Sequence, residues 1–382
     1  MDDFQHYFDW AATSPADEDI LQYSLNAYLQ NQGNASSSHT LGKKARSVFE
    51  DARKRCAKSL GVKEECITFT SGGTESDQIV LLSMLQKPKA GTILISSIEH
   101  PAVKEQAFAM KNLGWNIVQL PSDSGGIIRP EAVEKCLTED TMIVLVMAVN
   151  NETGAIQPIY KIADLLNEKY KGKRRPKFHV DCVQAAGKIR LDLSYNGIDS
   201  AAFSAHKICG PKGIGLLYTK SPIIPFLKGG GQENGIRSGT ENLMGAVAIS
   251  KCLERYYNKE NEEQKNVTQN FINELSKLKG CTIVPEARLI NPEEYSPYVL
   301  QVAFNNIPGN VMLRALDSKG FYISTGSACS TRKNSRPILE AMNVESKIRE
   351  SAVRFSFGPH TTKESVKELF QAVKEINSQF NG

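Results

Sequence analysis

Lys207 lies in FSAHKICGPKGIG (203–215), just past a β-rich run and just before a glycine-rich turn. An α/β sheet presents side chains to a ligand crevice at such strand ends. A lysine used as a catalyst usually forms a Schiff base with a carbonyl, which requires a buried amine of lowered pKa. Most lysines are solvated surface groups, so its neighbours decide. Asp181 closes the short run FHVD, 26 residues upstream, and Gln184 follows three residues later. FTSGGTES (69–76) runs from a β-rich segment through two glycines into a helix start. Free backbone N–H groups and the helix dipole favour an anion there, and Thr74 adds a hydroxyl. No lysine follows the glycines at Walker spacing. The loop is therefore an anion cradle of another kind or an ordinary strand–turn–helix junction.

An aldehyde-capturing lysine, a carboxylate for a pyridine nitrogen and an anchored phosphate are the requirements of pyridoxal phosphate. Lys207, Asp181 and the Gly73–Thr74 turn supply these types on consecutive strand ends. His100, in SSIEHPAV, follows another β-rich run; it is placed for ring stacking or proton transfer, or is a satisfied structural group. His179, inside a β-run, reads as core. STGSACSTR (324–332) surrounds Cys329 with small residues on a predicted flexible loop, where an exposed thiol calls for a chemical reason. The other seven cysteines fall in predicted strands, helices or the tight HKICGPKG turn, and read as small apolar residues. Arg354, in AVRFSFG, needs a carboxylate partner, either in a structural ion pair or on a substrate.

The elements that must position these groups are readable between about 66 and 220. The runs CITFTS, TILIS, NIVQLP, MIVLVMAV, FHVD, AAFSA and GIGLLYT alternate with turns and helix-like segments, which predicts an α/β domain with a mostly parallel sheet. Thr74-Glu75 opens one helix and Pro101 another. A charged, helix-prone stretch from Thr240 to about Leu278 breaks near Asn258–Asn261. Beyond it comes a smaller α+β segment: YVLQVAF, a helix through VMLRALDSKG, FYIS, AVRFSFG and a final amphipathic helix, TKESVKELFQAVKEINSQF. The expected division is 14–255 for a large cofactor-binding domain, with 1–13 and 256–382 forming the small domain.

Composition excludes other classes. With 382 residues, 41% hydrophobic and 23% charged, the chain has a globular composition of one large or two ordinary domains. A net charge of +4 argues against a dedicated nucleic-acid binder. The basic run KYKGKRRPK (169–177) reads as a solvated loop before a strand rather than a partner contact. The eight cysteines form no CxxC pair, so no metal knuckle or dithiol motif is expected. MDDFQHYFDW has neither a basic nor an apolar leader region, and no apolar run reaches membrane-span length. A cytoplasmic protein with free thiols is the expectation.

Many colinear motifs together resemble the cysteine desulfurases, within the class-V aminotransferase group of fold-type-I pyridoxal-phosphate enzymes. They run from YFDWAATSP (7–15) through GNASSSHTLGKKAR (33–46), FTSGGTES, EHPAV (99–103), NNETGAIQPI (150–159), HVDCVQAAGK (179–188), SAHKICGPKGIG, GGGQENGIRSGTEN (229–242) and GSACS (326–330) to RFSFG (354–358). The resemblance implies an L-cysteine desulfurase: Lys207 carries the cofactor and shuttles a proton, and Cys329 accepts sulfur as a persulfide and leaves alanine. It implies that Asp181 pairs with the pyridinium, Gln184 bonds the ring hydroxyl and His100 stacks on the ring. Gly73, Thr74, Ser204 and His206 would hold the phosphate, joined by Thr240 of a second subunit in a homodimer. Asn151 and Arg354 would orient the substrate carboxylate. His100 is the candidate base for the Cys329 thiol. The implied outlet is a sulfur acceptor or iron–sulfur scaffold protein, with no metal, nucleic acid or membrane involved. The alternatives are a selenocysteine lyase, an aminotransferase of the same class, or a catalytically silent sulfur-trafficking scaffold. Trp10, Ala35, Cys209 and Pro359-His360 depart from the family pattern. They put substrate preference and partner docking in question more than the reaction.

Overall fold

A computed structural model describes residues 4–259, 262–326 and 336–381. Its larger sheet is built of β1 (Ile67–Thr70), β2 (Thr92–Ser96), β3 (Asn116–Leu120), β4 (Thr141–Leu145), β5 (Lys177–Asp181), β6 (Ser200–Ser204) and β7 (Gly215–Thr219). The strand order is β1-β7-β6-β5-β4-β2-β3. Pairs β2–β3, β2–β4, β4–β5 and β5–β6 are parallel, while β7 runs antiparallel to both β6 and β1. Six strands therefore point the same way, and their carboxyl ends lie along one edge.

Both faces of this sheet are apolar, as a parallel sheet covered by helices requires. Leu94, Val144, Phe178, Phe203 and Leu216 face the core that also buries Phe49, Ile162 and Ile249. Ile93, Ile95, Ile143, Leu145 and Leu217 face the opposite core with Leu81, Val103 and Met110. Every strand expected in this region forms, although the 142–149 run stops being strand at Leu145.

The smaller sheet is antiparallel, in the order β10-β9-β8, with β8 at Cys281–Val284, β9 at Val299–Phe304 and β10 at Ala352–Ser356. The helices Glu262–Leu275, Gly309–Asp317 and Lys363–Asn381 bury Phe271, Met312, Leu316 and Val373 against it. Phe8, from the N-terminal segment, completes this core. Two expectations change. CTIV, unassigned from the sequence, is β8; FYIS is no strand but makes only single bridges, Tyr322 to Tyr7 and Ser324 to Arg354. Only Tyr322 and Ser324 of these four residues make a bridge, and to different segments, so no continuous ladder forms. No described helix is long and apolar enough to cross a membrane.

Candidate active site

A cavity of about 220 Å³ opens at the carboxyl edge of the larger sheet. Its wall includes Gly73, Thr74, His100, Asn151, Asp181, Gln184, Ser204, His206, Lys207 and Arg354. Nine of these ten come from the strand ends and turns of the first 210 residues; Arg354 comes from β10.

Lys207 ends the short 3-10 turn Ala205–Lys207 directly after β6, and its Nζ donates to the carbonyls of Ala11 (2.6 Å) and Ala12 (2.7 Å). The segment 11–12 thus aims the amine into the cavity, a role the sequence did not reveal. Asp181 ends β5 and is 5% exposed; its Oδ1 accepts from the Val183 amide at 2.8 Å. Burial, reinforced by the charge of Asp77, pushes its carboxyl up to about 7. Asp77, also on the wall, is itself buried and bonds His179 Nε2 at 3.0 Å, while His179 Nδ1 meets Ser200 Oγ at 2.8 Å. His179 is therefore core, as expected.

Gln184 donates through Nε2 to Ala11 O (2.8 Å) and accepts at Oε1 from Lys188 Nζ (2.7 Å). The anion cradle is the start of the helix Gly73–Ser83, whose N-cap Gly72 has no capping side chain. The first amides of a helix have no intrahelical acceptor, so they point at whatever lies in front. Close approach fixes glycine here. A Cβ on Gly73 would lie 2.5 Å from Val183 Cγ2, and one on Gly215 would lie 2.5 Å from Gly72 Cα. Ser204 ends β6 beside this turn, and His206, pushed down to about 4 by burial and by Lys207, faces Thr13 Oγ1 at 3.1 Å.

His100 caps the helix Pro101–Met110: its Nδ1 accepts the Ala102 amide at 3.1 Å. Burial, with Lys207 second, holds the ring down to about 4, so it is neutral at pH 7. With Nδ1 occupied as an acceptor, the proton of the neutral ring sits on Nε2. In this arrangement the ring offers the cavity a donor, the reverse of the base expected for it.

Arg354 is 2% exposed and donates to Asn151 O (2.9 Å) and Asp9 Oδ1 (2.7 Å). Its Nε and the Asn151 Oδ1 are buried without a partner among the described residues. Arg354 thus has an ion-pair partner that the sequence did not identify, and it also keeps unsatisfied donor capacity at the cavity wall. Thr240 is exposed and is not on this wall. Cys329 lies outside the described residues.

The departures cluster. Trp10, Cys209 and Pro359 line one small space of about 20 Å³ behind Lys207. The indole lies so close to Gly358 that a Cβ there would sit 2.1 Å from the ring, and it stands 5.9 Å from the His360 ring. A large ring at position 10 is accommodated by small neighbours. Ala35 serves through its carbonyl, which accepts from Arg46 Nε at 3.1 Å.

The donor set fits pyridoxal phosphate. The buried Asp181 carboxylate, the Lys207 amine on carbonyls, the open helix amides, and Asn151 Oδ1 and Arg354 Nε, unpartnered among the described residues, match its ring nitrogen, aldehyde, phosphate and amino-acid adduct. Comparison with known proteins agrees. The family model for class-V aminotransferases matches residues 6–369. A protein of Dictyoglomus turgidum called cysteine desulfurase IscS is 34% identical over 380 residues, covering 97% of this chain and 94% of its own. A solved NifS-like protein superposes with a TM-score of 0.89 at 35% identity, covering 98% of this chain and 100% of its own. A structure described as SspA in complex with cysteine gives 0.81 at 27% identity, covering 94% of this chain and 100% of its own.

Proposed function

The chain belongs to the class-V aminotransferase family, and from that premise we propose that it is a pyridoxal-phosphate-dependent L-cysteine desulfurase. The observation that carries the reading is the meeting of Lys207, Asp181 and the Gly73–Thr74 helix start on one 220 Å³ cavity. Bound there, pyridoxal phosphate supplies an electron sink that weakens bonds at the carbons of an attached amino acid.

The chain's own residues do the rest. Gly73, Thr74, Ser204 and His206 would hold the phosphate through helix-start amides, hydroxyls and the His206 ring. Asp181 keeps the ring nitrogen protonated, and Gln184 donates to the ring oxygen. His100 stacks on the ring and offers its Nε2 proton. Lys207 would hold the aldehyde carbon of the cofactor through its Nζ and, once freed by substrate, would take the proton from the substrate Cα. Asn151 and Arg354 clamp the substrate carboxylate, which fixes the Cα bonds against the ring plane. Cys329 takes the sulfur: the substrate Cβ–S bond breaks, a Cys329 S–S bond forms, and the carbon leaves as alanine after gaining a proton. Sulfur is oxidised and carbon reduced within one pair of reactants, so no outside oxidant is needed.

A homodimer in which Thr240 completes the partner's phosphate site is supported by the exposed apolar run Ile224, Phe226 and Leu227, 63%, 47% and 70% exposed. Phe226 and Leu227 share a surface hollow with Ile236 and Arg237, next to Thr240 in the chain. We place the protein in the cytoplasm, passing persulfide sulfur to an acceptor or scaffold protein for iron–sulfur cluster or thio-cofactor assembly. A division into 14–255, with 1–13 joining 256–382, is supported by Phe8, which packs in the core of the smaller sheet. The test is alanine formation from cysteine by wild type and Cys329→Ala. Wild-type turnover that the variant loses supports desulfuration; full-rate alanine formation by the variant refutes it and favours an aminotransferase-type lyase.

A further inference from the structure

A second hollow is larger than the one just described. A cleft of about 470 Å³ lies where the turn after Gln184 meets the helix Glu262–Leu275 and the 288–298 segment. Its lining combines apolar side chains, among them Ile189, Ile272 and Tyr298, with the cations Lys188, Arg190, Lys259, Lys265 and Arg288. Among the described residues the only carboxylate on the wall is Glu293, which is exposed.

Two of these cations have no carboxylate among their described partners. Arg288 is 4% exposed and is held only by neutral groups: the carbonyls of Thr153 (3.2 Å), Val299 (2.6 Å) and Ser296 (2.8 Å), and the Tyr295 ring, 5.5 Å from its guanidinium carbon. Lys188 gives its one described hydrogen bond to Gln184 Oε1. Burial lowers both groups, Arg288 to about 10 and Lys188 to about 7, where Lys207 and Arg354 add repulsion. A buried cation such as Arg288 is costly without a counter-ion, and an anionic oxygen beside it or beside the half-buried Lys188 lowers that cost. A cleft of this volume, lined by both apolar and cationic side chains, suits an anionic head on an apolar body.

We propose that this cleft binds a small organic anion, a phosphate or carboxylate on an apolar body, and that Lys188 reports its occupancy to the cofactor cavity. The reporting group is specific. Lys188 donates to Oε1 of Gln184, which leaves Nε2 turned to Ala11 O beside Lys207, and a cleft anion favours the charged, donor-only form of Lys188. An anion that draws Lys188 toward the cleft frees Gln184 to rotate at the cofactor wall. Lys188 is a positioning residue in this scheme, and the reporting half rests on the pyridoxal-phosphate reading; the binding half does not.

The test titrates the pyridoxal-phosphate-loaded protein by calorimetry with phenyl phosphate, benzoate and neutral benzyl alcohol, while recording the visible band of the cofactor. At least one anion is expected to bind, the alcohol not, and affinity is expected to fall about tenfold, or ~1.4 kcal/mol, in Lys188→Met and in the double variant Arg190→Met Lys259→Met. Which of the two anions binds more tightly distinguishes phosphate from carboxylate recognition. Unchanged affinity in both variants, alcohol binding equal to the anions, or binding by neither anion overturns the site. Release of pyridoxal phosphate during the titration places the anion in the cofactor cavity and also overturns it. The cofactor band is expected to shift with anion in wild type and not in Lys188→Met; a wild-type band that stays fixed at saturation overturns the reporting role while leaving the site. Protein that takes up no pyridoxal phosphate contradicts the earlier reading, and its calorimetric titration then tests the cleft by itself.

Discussion

The two sheets contribute to the cavity in different ways. The parallel sheet gives it many groups from one edge: Asp181 and Ser204 are last residues of their strands, and Lys207 and the Gly73–Thr74 turn lie within four residues of strand ends. The antiparallel sheet gives it one, Arg354, from the middle of β10. Parallel strands align their carboxyl ends, so chain polarity alone collects the cofactor groups. Arg354 has no such rule and is placed by long-range bonds to Asn151, 203 positions away, and Asp9, 345 away. The cofactor half is set by topology; the substrate half is set by docking one sheet on another.

The comparison can be broken from either side, and the largest effects belong to the parallel edge. Lys207→Ala removes both the cofactor attachment and the proton carrier. Its turnover is expected to fall by at least about 10⁴-fold, beyond the usual loss from an acid–base group, with the visible cofactor band changed as well. Asp181→Asn leaves shape intact but removes the charge opposite the ring nitrogen, and should cost about 10²- to 10³-fold in kcat with pyridoxal phosphate still retained through the cradle. Arg354→Met should act on the substrate side alone. KM for cysteine is expected to rise about 10- to 100-fold, the worth of a charge-assisted hydrogen bond, with the cofactor spectrum without substrate unchanged. A spectrum altered as much by Arg354→Met as by Asp181→Asn would erase the distinction between the two halves.

The smallest effect sharpens the parallel edge further. Glu99 is buried, accepts from Ser96 Oγ (2.5 Å) and the Met147 amide (2.7 Å), and is pushed up to about 8 by burial. A carboxyl whose folded pKa is raised favours the fold below its unfolded value, and that contribution fades as pH rises through about 8. Glu99→Gln mimics the protonated form at every pH. Wild type and variant should melt together near pH 4, and the variant should gain as pH rises to 8.5, by about 1–2 °C for each kcal/mol of difference. A melting difference that stays constant from pH 4 to 8.5 would contradict the raised carboxyl.

Legibility in the sequence followed the same division. All seven strands of the large sheet were readable, because apolar runs bounded by turns need no distant partner to be recognised. So were the Lys207, Asp181 and Gly73–Thr74 positions. Local pattern could not reveal the Ala11 and Ala12 carbonyls on Lys207, Asp9 beside Arg354 or Asp77 behind Asp181, since each meets its partner about 100 or more positions away in the chain. β8 was missed because four residues, half of them only partly buried, give almost no alternation. The donor state of His100 depended on one cap hydrogen bond that histidine at a strand end does not announce. Of Trp10, Cys209 and Pro359-His360, each looked like an isolated departure; the fold makes them neighbours.

The central claim is that sulfur passes from cysteine to one thiol, and one measurement tests it most directly. The pyridoxal-phosphate-loaded protein is incubated with L-cysteine, persulfides are trapped with an alkylating reagent, and the modified cysteines are mapped by mass spectrometry. The prediction is a trapped persulfide on Cys329, formed together with alanine and absent from Cys329→Ala. A persulfide carried on any of the other seven cysteines with Cys329 unmodified would contradict it.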